Sequence, residues 1–176
     1  MSHSEKAVYS TATSLTARHI NRRIILNIIY RQQPISRADT ARETGLQRST
    51  VSLIVDELIR DSWVVEGEHG RIPRGRRPIY LQLNAAGAGV YSVLLRGNEV
   101  QLSASDLNGD CLWIGSETIS ECSVQSIAKA LYQLRGESLT AFRHKMKGVG
   151  VAVEGVSINH DVIRAAIGEV FGVPVA

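Results

Sequence analysis

The chain has 176 residues, of which 44 % are hydrophobic and 21 % charged, and its formal net charge is +3. That composition predicts a packed core rather than a disordered chain, and the length suits one or two domains. No apolar run approaches the ~18 residues of a membrane span, and Met1-Ser2-His3-Ser4-Glu5-Lys6 lacks the apolar stretch of a secretion signal. A cytoplasmic protein with no membrane partner is expected.

The charge is unevenly spread. Residues 1–84 hold 13 Lys and Arg against 8 Asp and Glu, whereas residues 85–176 hold 7 against 9. Twelve of the thirteen N-terminal cations are arginine, the side chain best matched to phosphate and to guanine. A basic half joined to a mildly acidic half fits a nucleic-acid module attached to a second domain. Cys111 and Cys122 stand eleven residues apart with no C-x-x-C, and the five histidines are scattered. This predicts two reduced thiols, no metal site and no cofactor.

In chain order, residues 1–17 are rich in Ser, Thr and Ala without apolar periodicity, and are expected to form a flexible N-terminus. From Arg18 to Gln32 the positions Ile20, Ile24, Ile25, Ile28 and Ile29 predict a helix with a broad apolar stripe, ended by Pro34. Ser36-Arg37-Ala38-Asp39 has the spacing of a capping box, with a short helix to about Thr44 burying Ala38 and Ala41. Gly45 suits the left-handed turn that ends it, and Leu46 fills the corner. A third helix, about Gln47 to Asp61, buries Val51, Ile54, Val55 and Leu58 at i, i+3, i+4 and i+7. Its start carries Gln47 where a Ser or Thr cap is commoner.

The opposite side of that helix presents Arg48, Ser49 and Ser52, with Gln47 and Thr50 near its start. Short hydroxyls, an amide and a guanidinium suit base edges and phosphates in a major groove, whereas a merely solvated helix more often shows Glu/Lys pairs. Two strands follow, Trp63–Glu66 and Pro78–Asn84, the second alternating Ile79, Leu81 and Leu83 on one face. The loop between them places Arg71, Arg74, Arg76 and Arg77 within seven residues. Three helices and a hairpin with a basic loop make a winged helix-turn-helix over residues 18–84, its wing reaching from 67 to 77. That loop is expected to grip phosphates or enter a minor groove, and Ser36 and Arg37 to anchor phosphate beside the second helix.

Beyond Asn84, Ala85-Ala86-Gly87-Ala88-Gly89 reads as a hinge. Strands are expected at Val90–Leu95, Glu99–Leu107 and Cys111–Ile119, with Asn108-Gly109-Asp110 turning between the last two. A helix is expected from 123 to about 146, with Ile127, Ala130, Leu131, Leu134, Leu139 and Phe142 inward and Gly136 a point of kinking. A buried strand Val149–Val153 and a helix Ile163–Phe171 complete a mixed α/β domain over residues 85–176.

Several of these segments resemble the ROK family (repressors, open reading frames, kinases), and in particular its transcriptional regulators. They are Asn21-Arg22-Arg23-Ile24-Ile25-Leu26, Ile35-Ser36-Arg37-Ala38, Gly45 to Leu58, and Gly75-Arg76-Arg77-Pro78 before Leu83-Asn84. Farther on, Val149 to Val156 is similar to the family's glycine-bounded strand and turn, and Phe171 to Val175 to the segment preceding its active site. The resemblance implies an α+β and α/β chain: an N-terminal winged helix-turn-helix followed by a partial actin-like (ribonuclease H-like) lobe. It also implies a sugar-like small-molecule effector, while the modest contact area of one winged helix argues for a homodimer on a double-stranded DNA operator.

The departures count against catalysis. Family kinases place an Asp-x-Gly-Gly-Thr-like phosphate loop where this chain reads Leu94-Leu95-Arg96-Gly97-Asn98, so Leu94 stands in place of a carboxylate. The family's Asn-Asp pair, its histidine-containing sugar motif and its zinc-binding cysteines would all follow residue 176. Glu154 replaces a usual proline, and residues 157–162 are shortened. No kinase activity, no zinc and an incomplete sugar pocket are expected. Glu154 with Asn159, His160 and Asp161 is read as a solvated turn. The leading expectation is a sequence-specific regulator that represses transcription as a homodimer. Its alternative is a DNA-tethered docking or ligand-sensing module whose C-terminal domain binds a partner protein or small molecule.

Overall fold

No glycine or proline interrupts residues 3–33, and the first helix, α1 (His3–Gln32), accordingly starts fifteen residues before Arg18, within the segment expected to be a flexible N-terminus. The computed structural model describes residues 3–69, 78–155 and 159–172, without the side chains of 3–15, 68, 69 and 162. The chain divides into two compact units, Met1–Asn84 and Ala85–Ala176.

In the first unit α1 is followed by β1 (Ile35–Ser36), α2 (Arg37–Thr44), α3 (Arg48–Arg60), β2 (Val64–His69) and β3 (Ile79–Leu83). The isoleucine stripe of α1 is narrower than its sequence suggests. Ile25 and Ile29 are fully buried, but Ile20 and Ile24 are 52 % and 43 % exposed. The two i, i+4 rows lie one residue, or ~100°, apart, and only one faces the core. On α2 the buried residues are Thr40 and Ala41, while Ala38 is exposed. Thr40 tolerates burial because its hydroxyl donates to the Ser36 carbonyl at 2.9 Å. Val51, Ile54, Val55 and Leu58 of α3 are all buried, as the periodicity requires.

The three strands order as β1-β3-β2, all antiparallel. β1 is too short to be seen by alternation; it pairs Ile35 with Leu81 and Ser36 with Tyr80. Leu81 and Leu83 face the core, and the Leu83 backbone N–H donates to the Gln33 side-chain oxygen at 2.7 Å, which fixes the end of α1 to β3.

The second unit runs β4 (Ala88–Arg96), β5 (Glu99–Asp106), β6 (Cys111–Thr118), α4 (Val124–Ser138), β7 (Lys145–Glu154) and α5 (His160–Phe171). Its sheet orders β6-β5-β4-β7, with β4 and β7 parallel and the other pairs antiparallel. Tyr91, Val93, Leu95, Val100, Leu102 and Ala104 pack with residues of α4 and α5 in one core. Ser92 of β4 and Gly150, Ala152 and Glu154 of β7 alternate to the exposed side.

Several boundaries differ from the sequence reading, and β7 begins at Lys145, four residues before the expected Val149. Ala88 and Gly89, read as hinge, already belong to β4. Helix α4 passes through Gly136 and stops at Ser138, so Phe142 lies beyond it yet remains buried against Tyr91, ring centroids 4.6 Å apart. The buried Ser138 hydroxyl explains why the chain is held there: it donates to the Arg135 carbonyl at 2.8 Å and meets the Tyr91 hydroxyl at 2.7 Å. Helix α5 begins at His160, three residues early, because Asn159 caps it by accepting the Asp161 N–H at 2.9 Å.

Two glycines of this unit are expected to respond oppositely to alanine. A Cβ at Gly89 would lie 2.4 Å from the Ser105 carbonyl oxygen and 2.6 Å from the Phe142 ring. Gly89→Ala should therefore lower stability by about 1–3 kcal/mol. A Cβ at Gly136 meets nothing within 4 Å, and Gly136→Ala inside α4 should raise stability by about 0.5–1 kcal/mol. Urea unfolding curves of the two variants check both signs.

Candidate nucleic-acid interface

The helix-turn-helix is built by two local devices. Ser36 has an extended backbone and its hydroxyl oxygen accepts the Asp39 N–H at 3.2 Å, which starts α2. The same hydroxyl donates to the Asp39 carboxylate at 2.6 Å, so the carboxylate closes the box through the side chain. At the other end Gly45 takes φ 67°, a left-handed turn that a Cβ would disfavour. Thr44 steadies that turn, its hydroxyl donating to the Thr40 carbonyl at 2.8 Å and accepting the Leu46 N–H at 3.3 Å. Gln47 then stands at the N-cap of α3 with no side-chain cap bond. Its amide and the orphan N–H groups of the first turn stay available to an outside acceptor.

The outward face of α3 carries the expected residues. Gln47, Arg48 and Ser49 are exposed, and Thr50 and Ser52 are half-buried at its flanks. Leu53 shares this surface and is 59 % exposed. The periodicity reading passed over it, because an apolar residue off the buried stripe carries no signal in that pattern.

Ser36 and Arg37 are placed differently from the expectation that they anchor phosphate. Ser36 is only 5 % exposed and its oxygen is committed to the α2 cap. Arg37 donates to Asp56 of α3 at 2.7 Å, to Glu66 of β2 at 2.9 Å and to the Ser52 carbonyl at 3.2 Å. Partial burial lowers the affinity of this guanidinium for its proton, but the bonds to Asp56 and Glu66 outweigh that and leave its pKa above the ordinary value. One residue thus ties the start of α2, the middle of α3 and the strand leading into the wing.

The same logic recurs on α1. Arg18 pairs with Glu57, and Arg22 with Asp61 at 2.7 Å and Glu57 at 3.8 Å. The hydrogen bond to Glu57 raises the Arg18 pKa from its ordinary value. Asp56, Glu57 and Asp61 are therefore each matched by an arginine from another helix. Among the described residues, Arg48 and Arg60 are held by no carboxylate within 4 Å. The sequence shows these acids and arginines but not their pairing, since partners 19 to 39 residues apart meet only in the fold. Arg71, Arg74, Arg76 and Arg77 lie outside the described residues.

In the second unit, Leu94 sits within β4 opposite Gln101 of β5 and Ala152 of β7. Arg96 pairs with Glu99 across a two-residue turn of Gly97, at φ 55°, and Asn98. The place of a kinase phosphate loop is thus a tight hairpin. Glu154 bonds Arg96 at 2.8 Å and Asn159 caps α5, so these polar residues hold local structure.

Comparison with known proteins agrees with this geometry. Residues 18–65 match the family described as winged helix-turn-helix DNA-binding. The xylose repressor of Caldicellulosiruptor bescii is 27 % identical over 144 residues, covering 79 % of this chain and 36 % of the repressor. The xylose repressor of Bacillus subtilis (strain 168) is 42 % identical over 65 residues, 37 % of this chain and 17 % of the repressor. The chain thus spans about a third of the length of its longer-matching curated relative. Among solved structures, a ROK family transcriptional regulator, a homolog of the E. coli MLC protein, superposes with a TM-score of 0.73 at 20 % identity. That match covers 90 % of this chain and 45 % of the other. Residues 18–65 of the first unit thus match a winged helix-turn-helix DNA-binding family, in a chain similar to xylose repressors and sharing its fold with a ROK family transcriptional regulator.

Proposed function

We propose that the chain is a sequence-specific transcriptional repressor that binds a double-stranded DNA operator in the cytoplasm as a homodimer. The observation that carries this reading is the surface of α3, where Gln47, Arg48, Ser49, Thr50 and Ser52 line the outward side and the acids of the helix and its cap, Asp56, Glu57 and Asp61, are each matched by an arginine. In this reading those five side chains enter the major groove. The wing arginines Arg71, Arg74, Arg76 and Arg77 grip the backbone, supported by their density in sequence. Ser36 and Arg37 hold the reading surface in place rather than touching DNA.

The dimer follows from area. A single module of this size covers only about 600–1,000 Å² of DNA, and two half-sites supply the remaining affinity and specificity. No phosphotransfer belongs to this reading, since Leu94 offers no carboxylate to a metal-bound phosphate. The relatives named as xylose repressors support a sugar-like effector.

Selection of bound DNA from a random library should return an inverted repeat with half-sites a whole number of helical turns apart. Recovery of single asymmetric sites would contradict the dimer, and recovery of no preferred sequence would contradict the function. Arg48→Ala should change base preference in the half-site by about 1–3 kcal/mol. Arg74→Ala should weaken operator and random DNA alike and flatten the salt dependence by about one ion. Equal losses from both variants on both DNAs would contradict this division. Arg37→Met, which breaks two ion pairs and a carbonyl bond, should lower stability by about 1–2 kcal/mol, and less at high salt. Urea midpoints at two ionic strengths measure this, and unchanged midpoints would refute the clamp.

A further inference from the structure

We infer that Leu53 reads the C5-methyl group of a thymine in each operator half-site. The inference rests on the DNA-binding reading and adds to it an apolar base contact of a kind the polar residues of this surface do not make. Leu53 is the sixth residue of α3, which begins at Arg48. It lies one turn beyond Ser49 and next to Ser52, so Arg48, Ser49, Ser52 and Leu53 form one patch over the first two turns.

Three features make the side chain unusual there. Leu53 is 59 % exposed, while the buried side of α3 is already filled by Val51, Ile54, Val55 and Leu58. Its neighbours one turn on are Asp56 and Glu57, and both carboxylates are drawn to arginines, Asp56 to Arg37 and Glu57 to Arg18 and Arg22. The apolar tip is therefore bordered by hydroxyls and neutralised acids. A single exposed leucine needs no explanation on an ordinary surface, but this one stands on the side of the helix that bears the base-reading groups.

Chemistry then selects its target. Leucine neither donates nor accepts a hydrogen bond, so it cannot distinguish bases by their polar edges. The apolar feature in the major-groove code is the thymine methyl, which apolar side chains contact directly. Leu53 thus prefers a T·A pair through removal of two apolar surfaces from water, while its polar neighbours read adjacent pairs.

Deoxyuridine substitution tests this, because it deletes one methyl group and leaves base pairing intact. In the operator recovered by selection, each thymine of one half-site is replaced singly by deoxyuridine, and binding of the full chain is measured. At one position the wild type should lose about fourfold in affinity, the value of burying one methyl-sized group. Leu53→Ala, which truncates a side chain that is 59 % exposed and outside the buried row of α3, should keep a circular dichroism melt close to wild type and bind the thymine and deoxyuridine operators equally. If the wild type is indifferent to deoxyuridine at every position, or Leu53→Ala retains the fourfold loss, the assignment is overturned. In either case operator selection and the salt dependence still stand, so the regulator reading survives. Absence of any preferred sequence overturns both.

Discussion

A helix laid against polyphosphate must not offer it uncompensated carboxylates, and this constraint organises the first unit. Helix α3 and its cap carry Asp56, Glu57 and Asp61, three acids within six residues of a surface read as facing DNA. Each is met by an arginine from elsewhere, Arg37 at the head of α2 or Arg18 and Arg22 on α1. Ion pairs at such partly exposed positions stabilise weakly one by one. Their larger effect is electrostatic: they cancel repulsion at the rim while leaving Arg48, at the end that points outward, as a free cation among the described residues. They also couple orientation to charge, because Arg37 reaches α3 and the wing strand β2 with one guanidinium.

The geometry of that surface is set by short-range devices rather than by bulk burial. The Ser36 cap and the left-handed Gly45 fix where α2 starts and stops, and a three-residue turn then leaves little freedom in the direction of α3. The buried row Val51, Ile54, Val55 and Leu58 sets its rotation about its own axis. Once that rotation is fixed, Ser49, Ser52 and Leu53 must face out. The missing side-chain cap at Gln47 leaves the first-turn N–H groups of α3 open to an anion, which a phosphate can satisfy.

How much of this was legible depends on the range of the interaction. The Ser36 cap, the Gly45 turn and the α3 stripe are local, and their spacing is readable directly. The two rows of α1 isoleucines were not separable, since Ile24 and Ile25 differ only in which row meets the core. The strand β1 was invisible because two residues show no alternation. Arg37 looked like a phosphate ligand because its partners, Asp56 and Glu66, are brought to it by the fold alone. In the second unit the Asn108-Gly109 turn marked the β5–β6 hairpin, whereas the first residues of β7, Lys145 to Gly148, were not read as strand. The end of α4 was not legible, because the Tyr91–Ser138 contact that anchors it links residues 47 apart. The early start of α5 could have been read from Asn159, a good cap two residues before Asp161.

The central claim is that the outward side of α3 lies in a major groove, positioned by charge pairs that never touch DNA. Dimethyl sulfate footprinting on the selected operator tests it most directly, since the reagent marks guanine N7 in the major groove and adenine N3 in the minor groove. The account predicts protection of guanine N7 within both half-sites, lost when Arg48 is replaced by alanine. Protection confined to adenine N3, with every guanine N7 still reactive, would contradict it.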